Sequence, residues 1–366
     1  MAHCPLIVDA HQDLAWNMLT FGRDYRRTVD ATREIEKDSL AVHKCGQTLL
    51  GWDAYQQGRV ALIFATLFAG PIRRQEGDWD IMCYASTEDA RRLYIQQLEA
   101  YQRVWEHAPD QFSLVRTQGD MRAILTPWQD SPEEEHPIGM VLLMEGAESI
   151  DHMDELHDWW QAGLRIIGPA WAGTRFCGGT QEPGPLTREG YTLLAGMAEL
   201  GFALDLSHMD SQAAHQALDD YRGPLLATHA NARALLKRAD TNRHLPDSVI
   251  AGILEREGVI GIVPYNAFLQ AGWKRGDARE NVPLSKLVEQ IDYVCQMAGD
   301  AHHAGLGSDF DGGFGLDAVP QEINTIADLH KLTPLLEEKG YTADDRAALY
   351  GGNWLRFLEG SLPETL

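Results

Sequence analysis

Basic residues are scarce: 31 lysines and arginines stand against 54 aspartates and glutamates, leaving a formal net charge of −23. Such a surface repels a phosphate backbone, so nucleic acid is not an expected partner. Cysteine is scarce too, with five (Cys4, Cys45, Cys83, Cys177, Cys295), odd in number and without a C-x-x-C pair. This excludes a disulfide framework or a cysteine-built zinc site and fits a reducing compartment. No apolar run approaches the roughly 18 residues a membrane helix requires. No basic leader precedes Leu6-Ile7-Val8, and Gly360–Leu366 is too short and polar for a lipid-anchor tail; a cytoplasmic location without membrane attachment is the expectation. The glycine-rich phosphate turn of a doubly wound sheet is also missing, since the first strand candidate runs into Asp9-Ala-His-Gln-Asp13.

What is present is ordinary globular composition, 44% hydrophobic and 23% charged, which supplies a full-sized core. Short apolar runs recur at Leu6–Ala10, Val60–Phe68, Gly139–Met144, Leu164–Ala170, Phe202–Leu206, Pro224–Thr228, Val259–Val263 and Ala304–Ser308. Continuous apolar runs suit strands buried on both faces, as parallel sheets require. Amphipathic helix patterns lie between them at Thr87–Trp105, Tyr191–Leu200, Ser211–Tyr221, Asp247–Glu257 and Leu284–Ala298. Alternation of this kind predicts a (β/α)8 TIM barrel, about 250 residues plus insertions, with residues 1–366 forming one domain. Gly178–Gly190, rich in glycine and proline, reads as a loop over the barrel mouth, and Thr342–Asp345 reads as a capping box opening a last helix.

The chemistry follows from where histidines and acids fall. His11 and Asp13 follow the first run, Glu145 the third, His208 and His229 end the fifth and sixth, and Asp309 follows the eighth. These are carboxyl ends of strands, the face on which barrel enzymes build their sites. Three imidazoles and two carboxylates suit zinc, with other divalent metals as alternatives. Five side chains exceed the needs of one tetrahedral ion. Two ions resolve the count, His11 and Asp13 on one, His208 and His229 on the other, Glu145 bridging. A hydroxide between two cations is a strong nucleophile, and Asp309 remains to shuttle its proton to a leaving amine. Asp309 is preferred to Asp311 because it comes first after the strand. His302 and His303 precede the eighth run and read as structural, while His43, His107, His136, His152, His157 and His215 read as surface.

The words Val8-Asp-Ala-His-Gln-Asp13, Met144-Glu-Gly-Ala-Glu148, Asp205-Leu-Ser-His208, Thr228-His-Ala-Asn231, Gly305–Gly312 (GLGSDFDG) and Gly351-Gly-Asn-Trp354 together make the chain resemble the membrane (renal) dipeptidase family, binuclear zinc peptidases within the amidohydrolase-like barrels. The resemblance implies the same ligand set, with Glu145 as bridge and Asp309 as acid/base group. It implies that Arg243, in Arg243-His-Leu-Pro-Asp247, holds the substrate's terminal carboxylate, and that Tyr265 lines the same pocket. One position departs: where the family carries a histidine after strand four, this chain has Trp171, and Arg175 is the candidate for the missing positive group. Hydrolysis of dipeptides, L-Xaa-L-Xaa or L-Xaa-D-Xaa, is the implied activity, with two zinc ions per chain and a homodimer as the implied assembly. Opening of another amide, N-acyl amino acid or lactone on the same scaffold is the alternative, and a metal-binding homologue without turnover is the third reading.

Overall fold

Eight apolar runs become parallel strands in a computed structural model, which describes residues 4–236 and 241–365. They are β1 (Ile7–Gln12), β2 (Val60–Phe68), β3 (Ile138–Glu145), β4 (Leu164–Gly168), β5 (Ala203–Asp205), β6 (Leu225–Leu226), β7 (Ile260–Ile262) and β8 (Ala304–Leu306). Neighbours run β6-β5-β4-β3-β2-β1-β8-β7. The two ends then meet: Ala227 bridges Ile260 in parallel, with Ala227 N–H donating to the Val259 carbonyl at 3.0 Å and Gly261 N–H to the Ala227 carbonyl at 2.8 Å. The sheet is therefore a closed (β/α)8 barrel, as the alternation of runs predicts.

The long strands β2 and β3 are dense in branched and aromatic residues and buried almost throughout, the pattern of a parallel strand covered on both faces. Val8, Phe64, Leu143, Ile166, Ala203 and Leu226, from six different strands, share one apolar cluster, an arrangement that places them in the barrel lumen. Trp354 joins it, fully buried, its ring 5.4 Å from Phe64 and its indole N–H donating to the Leu306 carbonyl at 2.9 Å. Close packing here leaves no room at Gly307, where a Cβ would stand 1.9 Å from the Thr228 carbonyl oxygen.

Helices occupy Thr87–His107, Arg188–Leu200, Ser211–Asp220, Asp247–Glu255 and Ser285–Ala298, within a few residues of the amphipathic patterns. Thr342 caps Asp345 N–H at 3.2 Å while the Asp345 carboxylate accepts from Thr342 N–H at 2.8 Å, so the capping box forms. Two expectations fail. The stretch expected as a loop at Gly178–Gly190 holds an antiparallel hairpin, Cys177–Gly179 with Glu182–Leu186, and then enters the Arg188 helix. His136, read as surface, is buried, its Nε2 2.7 Å from the Ser131 carbonyl and its ring against Trp128; the loop folds back onto the Gln118–Asp130 helix. Sequence reading also missed the strand Phe112–Leu114, which pairs with the first residues of β3. Among the described residues no helix is long and apolar enough to cross a membrane.

Asp311 belongs to the frame. It is fully buried and accepts from Tyr25 OH at 3.0 Å, Thr48 Oγ1 at 2.6 Å and Leu49 N–H at 3.0 Å, and pairs with Arg23 Nη1 at 3.1 Å. Asn17 ties this group to the mouth, donating to the backbone carbonyls of Asp13 at 3.0 Å and Asp311 at 2.8 Å. Removing one partner of a buried pair leaves the other charge uncompensated. Asp311→Ala is therefore expected to cost about 3–5 kcal/mol of stability by chemical unfolding; a loss below about 1 kcal/mol would show that Glu36, 3.1 Å from Arg23, suffices for the guanidinium.

Candidate metal centre

The strand ends deliver the side chains. His11 lies near the end of β1 and Asp13 just beyond it, while Glu145 is the last residue of β3. His208, His229 and Asp309 each stand three positions past the last residue of β5, β6 and β8. His208 and Asp309 take φ of 65° and 55°, a left-handed backbone uncommon outside glycine. The strained turn swings each side chain out of the strand direction and into the mouth, and such strain concentrates at functional sites.

Glu145 is the centre of the arrangement. Its Oε1 lies 3.0 Å from His208 Nε2 and 3.3 Å from His229 Nε2. Its other oxygen, Oε2, lies 3.7 Å from His11 Nε2, which is itself 3.8 Å from Asp13 Oδ2. One carboxylate thus faces His208 and His229 with one oxygen and His11, beside Asp13, with the other. Among the described residues Glu145 Oε1, His11 Nε2 and Asp13 Oδ1 are buried without a hydrogen-bond partner, a costly condition for polar atoms unless something else binds them. His11, Glu145 and His229 offer donor atoms within 4.8 Å of one another, and so do His11, Asp13 and Asp309. The residues fit a metal cofactor.

The histidines are also oriented from behind. Thr228 Oγ1 donates to Asp205 Oδ2 at 2.5 Å, so at 2.8 Å from His229 Nδ1 it accepts that ring's N–H. This assigns the proton to Nδ1 and leaves Nε2 free to ligate. Asp205 is fixed in turn by the backbone N–H groups of Ser207 and Thr228, each at 2.9 Å. Thr180 Oγ1 plays the corresponding part at 2.9 Å from His208 Nδ1. Sequence reasoning missed these supports, although Asp205 and Thr228 sit inside the very words that flagged His208 and His229.

Electrostatics agree. Burial, with Arg243 and His11 nearby, holds the pKa values of His208 and His229 well below the usual imidazole range, which keeps both rings neutral, the form that ligates. At His11 burial works in the same direction but is overcome by Glu145, Asp13 and Asp309, and the pKa rises to about 10. Burial pushes Glu145 well above the carboxylate range, and pushes Asp309 up to about 7, with His11 opposing in both cases. Three carboxylates crowd this space, and among the described residues His11 and Arg243 oppose them, an environment that favours a divalent cation.

The model of the membrane dipeptidase family (peptidase family M19) matches residues 1–361. The chain belongs to this family. As a member it is a dipeptidase, a hydrolase of the peptide bond in small substrates that works with a metal cofactor. Over 274 residues it is 32% identical to a protein of the pqqA 5′ region of Klebsiella pneumoniae, covering 72% of this chain and 94% of that one. It shares its fold with the crystal structure of the M19 metallopeptidase called dipeptidase AC (TM-score 0.79, 24% identity, 98% and 99% of the two chains). The metallopeptidase of Rhodobacter sphaeroides, solved with a phosphinate mimic of the dipeptide L-Ala-D-Ala, is equally similar in fold (TM-score 0.78, 24% identity, 98% and 100%).

The dipeptidase cavity, about 360 Å³, opens over Asp13, Glu145, His208 and His229, with His11 buried behind them. Arg243 is buried at one side, donating Nη2–H to the His229 carbonyl at 2.6 Å, while among the described residues Nε and Nη1 have no partner. Tyr265 stands by it, stacked on Phe314 with ring centroids 4.5 Å apart. Trp171 forms part of the opposite side, its ring 5.1 Å from Phe68 and 6.2 Å from His208. Arg175 does not replace the family histidine. Its guanidinium is drawn away to Glu148, Asp151, Glu189 and the Ile150 carbonyl, and it does not line the cavity. Asp309 faces the cavity from β8, and Gly312 makes room for it, since a Cβ there would lie 1.9 Å from Asp309 Oδ1.

Proposed function

We propose that this dipeptidase cleaves L-Xaa-L-Xaa and L-Xaa-D-Xaa dipeptides with two zinc ions per chain, His11 and Asp13 holding one, His208 and His229 the other, and Glu145 shared. The observation that carries the reading is the division of the Glu145 oxygens between the two ligand pairs. Nitrogen and oxygen donors in this number suit zinc. Bound there, the ions would polarise the scissile carbonyl and lower the pKa of water so that hydroxide attacks near neutral pH. Asp309, beside His11 and Asp13, takes the proton from the attacking water and returns it to the leaving amine. Arg243 offers its unpartnered Nε and Nη1 to the free C-terminal carboxylate, a geometry suited to a bidentate hold, and Tyr265 closes the same end. The phosphinate mimic bound by the Rhodobacter sphaeroides relative supports including a D-residue at that end.

The test is amine release from a panel of L-L and L-D dipeptides, run with zinc-loaded and chelated protein side by side. Turnover is expected only in the loaded protein, with restoration when zinc is added back. Undiminished turnover after complete chelation, or silence across the panel with two metals bound per chain, would overturn the proposal.

A further inference from the structure

We infer that the substrate carries a large apolar side chain, preferentially aromatic, on the N-terminal side of the scissile bond, and that Trp171 selects it. The inference rests on the dipeptidase reading above and adds the class of substrate. Arg243 follows β6 and Tyr265 follows β7, whereas Phe68 ends β2 and Trp171 follows β4. In the closed strand order β5 separates these two groups on one side and β8 with β1 on the other, so they face each other across the mouth. A substrate with its carboxylate on Arg243 and its peptide carbonyl over Glu145 must project its other half toward the ends of β2 and β4.

The side chains that stand there beside Glu145 are two uncharged rings. Phe68 is in register with Glu145 on one side of β3, and Gly168, three residues before Trp171, is in register with it on the other. The two aromatic rings meet on this side of the mouth, centroids 5.1 Å apart and tilted 57° to each other. Gly70 completes the wall without filling it: a Cβ there would touch Phe68 and Cys83 at 3.8 Å and Trp171 at 3.9 Å. Of the charged residues lining the cavity, Arg74 is held by Glu182 and Gln181, Asp80 accepts from the Glu76 N–H, and Lys44 lies over the Trp79 ring. An apolar side chain gains by covering these rings, while a charged one would lose water against them. The indole can donate one hydrogen bond but carries no charge to replace that loss.

The experiment compares Phe-Xaa, Ala-Xaa and Asp-Xaa dipeptides with one C-terminal residue, measuring kcat/KM and equilibrium binding on zinc-loaded wild type, Trp171→Ala and Phe68→Ala. Phe-Xaa is expected to exceed Ala-Xaa by about tenfold or more in kcat/KM, and Asp-Xaa by more. Trp171→Ala, with metal content and circular dichroism unchanged, is expected to bring the Phe:Ala ratio close to one, chiefly through KM, and Phe68→Ala to lower it in part. Equal handling of the three substrates by the wild type would overturn the inference while leaving the hydrolytic reading in place, as would a ratio untouched in both variants. Tighter binding of Phe-Xaa without cleavage of any dipeptide would uphold the inference and overturn the hydrolytic reading.

Discussion

Glu145→Gln is expected to lower kcat/KM by about a thousandfold or more and to reduce bound metal from two ions per chain to one or none. The substitution keeps shape but replaces one ligating oxygen with an amide nitrogen whose lone pair is not available. Because each oxygen of Glu145 faces a different pair of ligands, neither orientation of the amide serves both. Metal-assisted charge stabilisation is worth several kcal/mol, and about 4 kcal/mol corresponds to about a thousandfold in rate. Folding gives an independent readout. Burial raises the Glu145 pKa well above its ordinary value, so carrying its charge without metal costs the folded chain stability. Neutral glutamine removes that penalty. Metal-free Glu145→Gln is thus expected to melt no earlier than metal-free wild type at pH 7, while the stabilisation by added zinc largely disappears. A variant that keeps two ions and near-normal activity would remove Glu145 from the centre.

Asp309→Asn is expected to act differently, lowering kcat by about a hundredfold to ten-thousandfold, the range of a lost general acid–base group, with metal content retained. Asparagine tolerates the left-handed backbone that Asp309 adopts at φ 55°, so the loop past β8 keeps its course. The amide also fills the space left by Gly312. What it cannot do is accept a proton and return it. Steady-state kinetics with metal analysis on the same sample separates the outcomes. Loss of one ion would make Asp309 a ligand, and a kcat within tenfold of wild type would place the proton carrier elsewhere.

The barrel was legible because β2 and β3 are long apolar runs that no half-solvated strand would tolerate. The site was legible because histidines and acids terminate apolar runs, which in a parallel barrel forces them to one end. Legibility stopped where a feature depends on contacts between segments far apart in the chain. Thr180 reaches His208 from a hairpin whose Gly/Pro-rich strands carry no alternation. The strand Phe112–Leu114 is three residues long, too short to show a period. Arg175 lies four residues past Trp171, and only the fold reveals that Glu148 and Asp151 turn it away. His136 is buried by the helix before it, a packing event with no local signature. Asp309 and Asp311, two residues apart, were ranked by position alone. Their partners tell them apart, a cavity for one and Arg23, Tyr25 and Thr48 for the other.

The central claim, two cations sharing Glu145, is tested most directly by anomalous diffraction at the zinc edge on crystals of the zinc-loaded protein. Two peaks are expected on opposite sides of the Glu145 carboxylate, one among His11 and Asp13 and the other between His208 and His229. A single peak, or density away from these side chains, would contradict it.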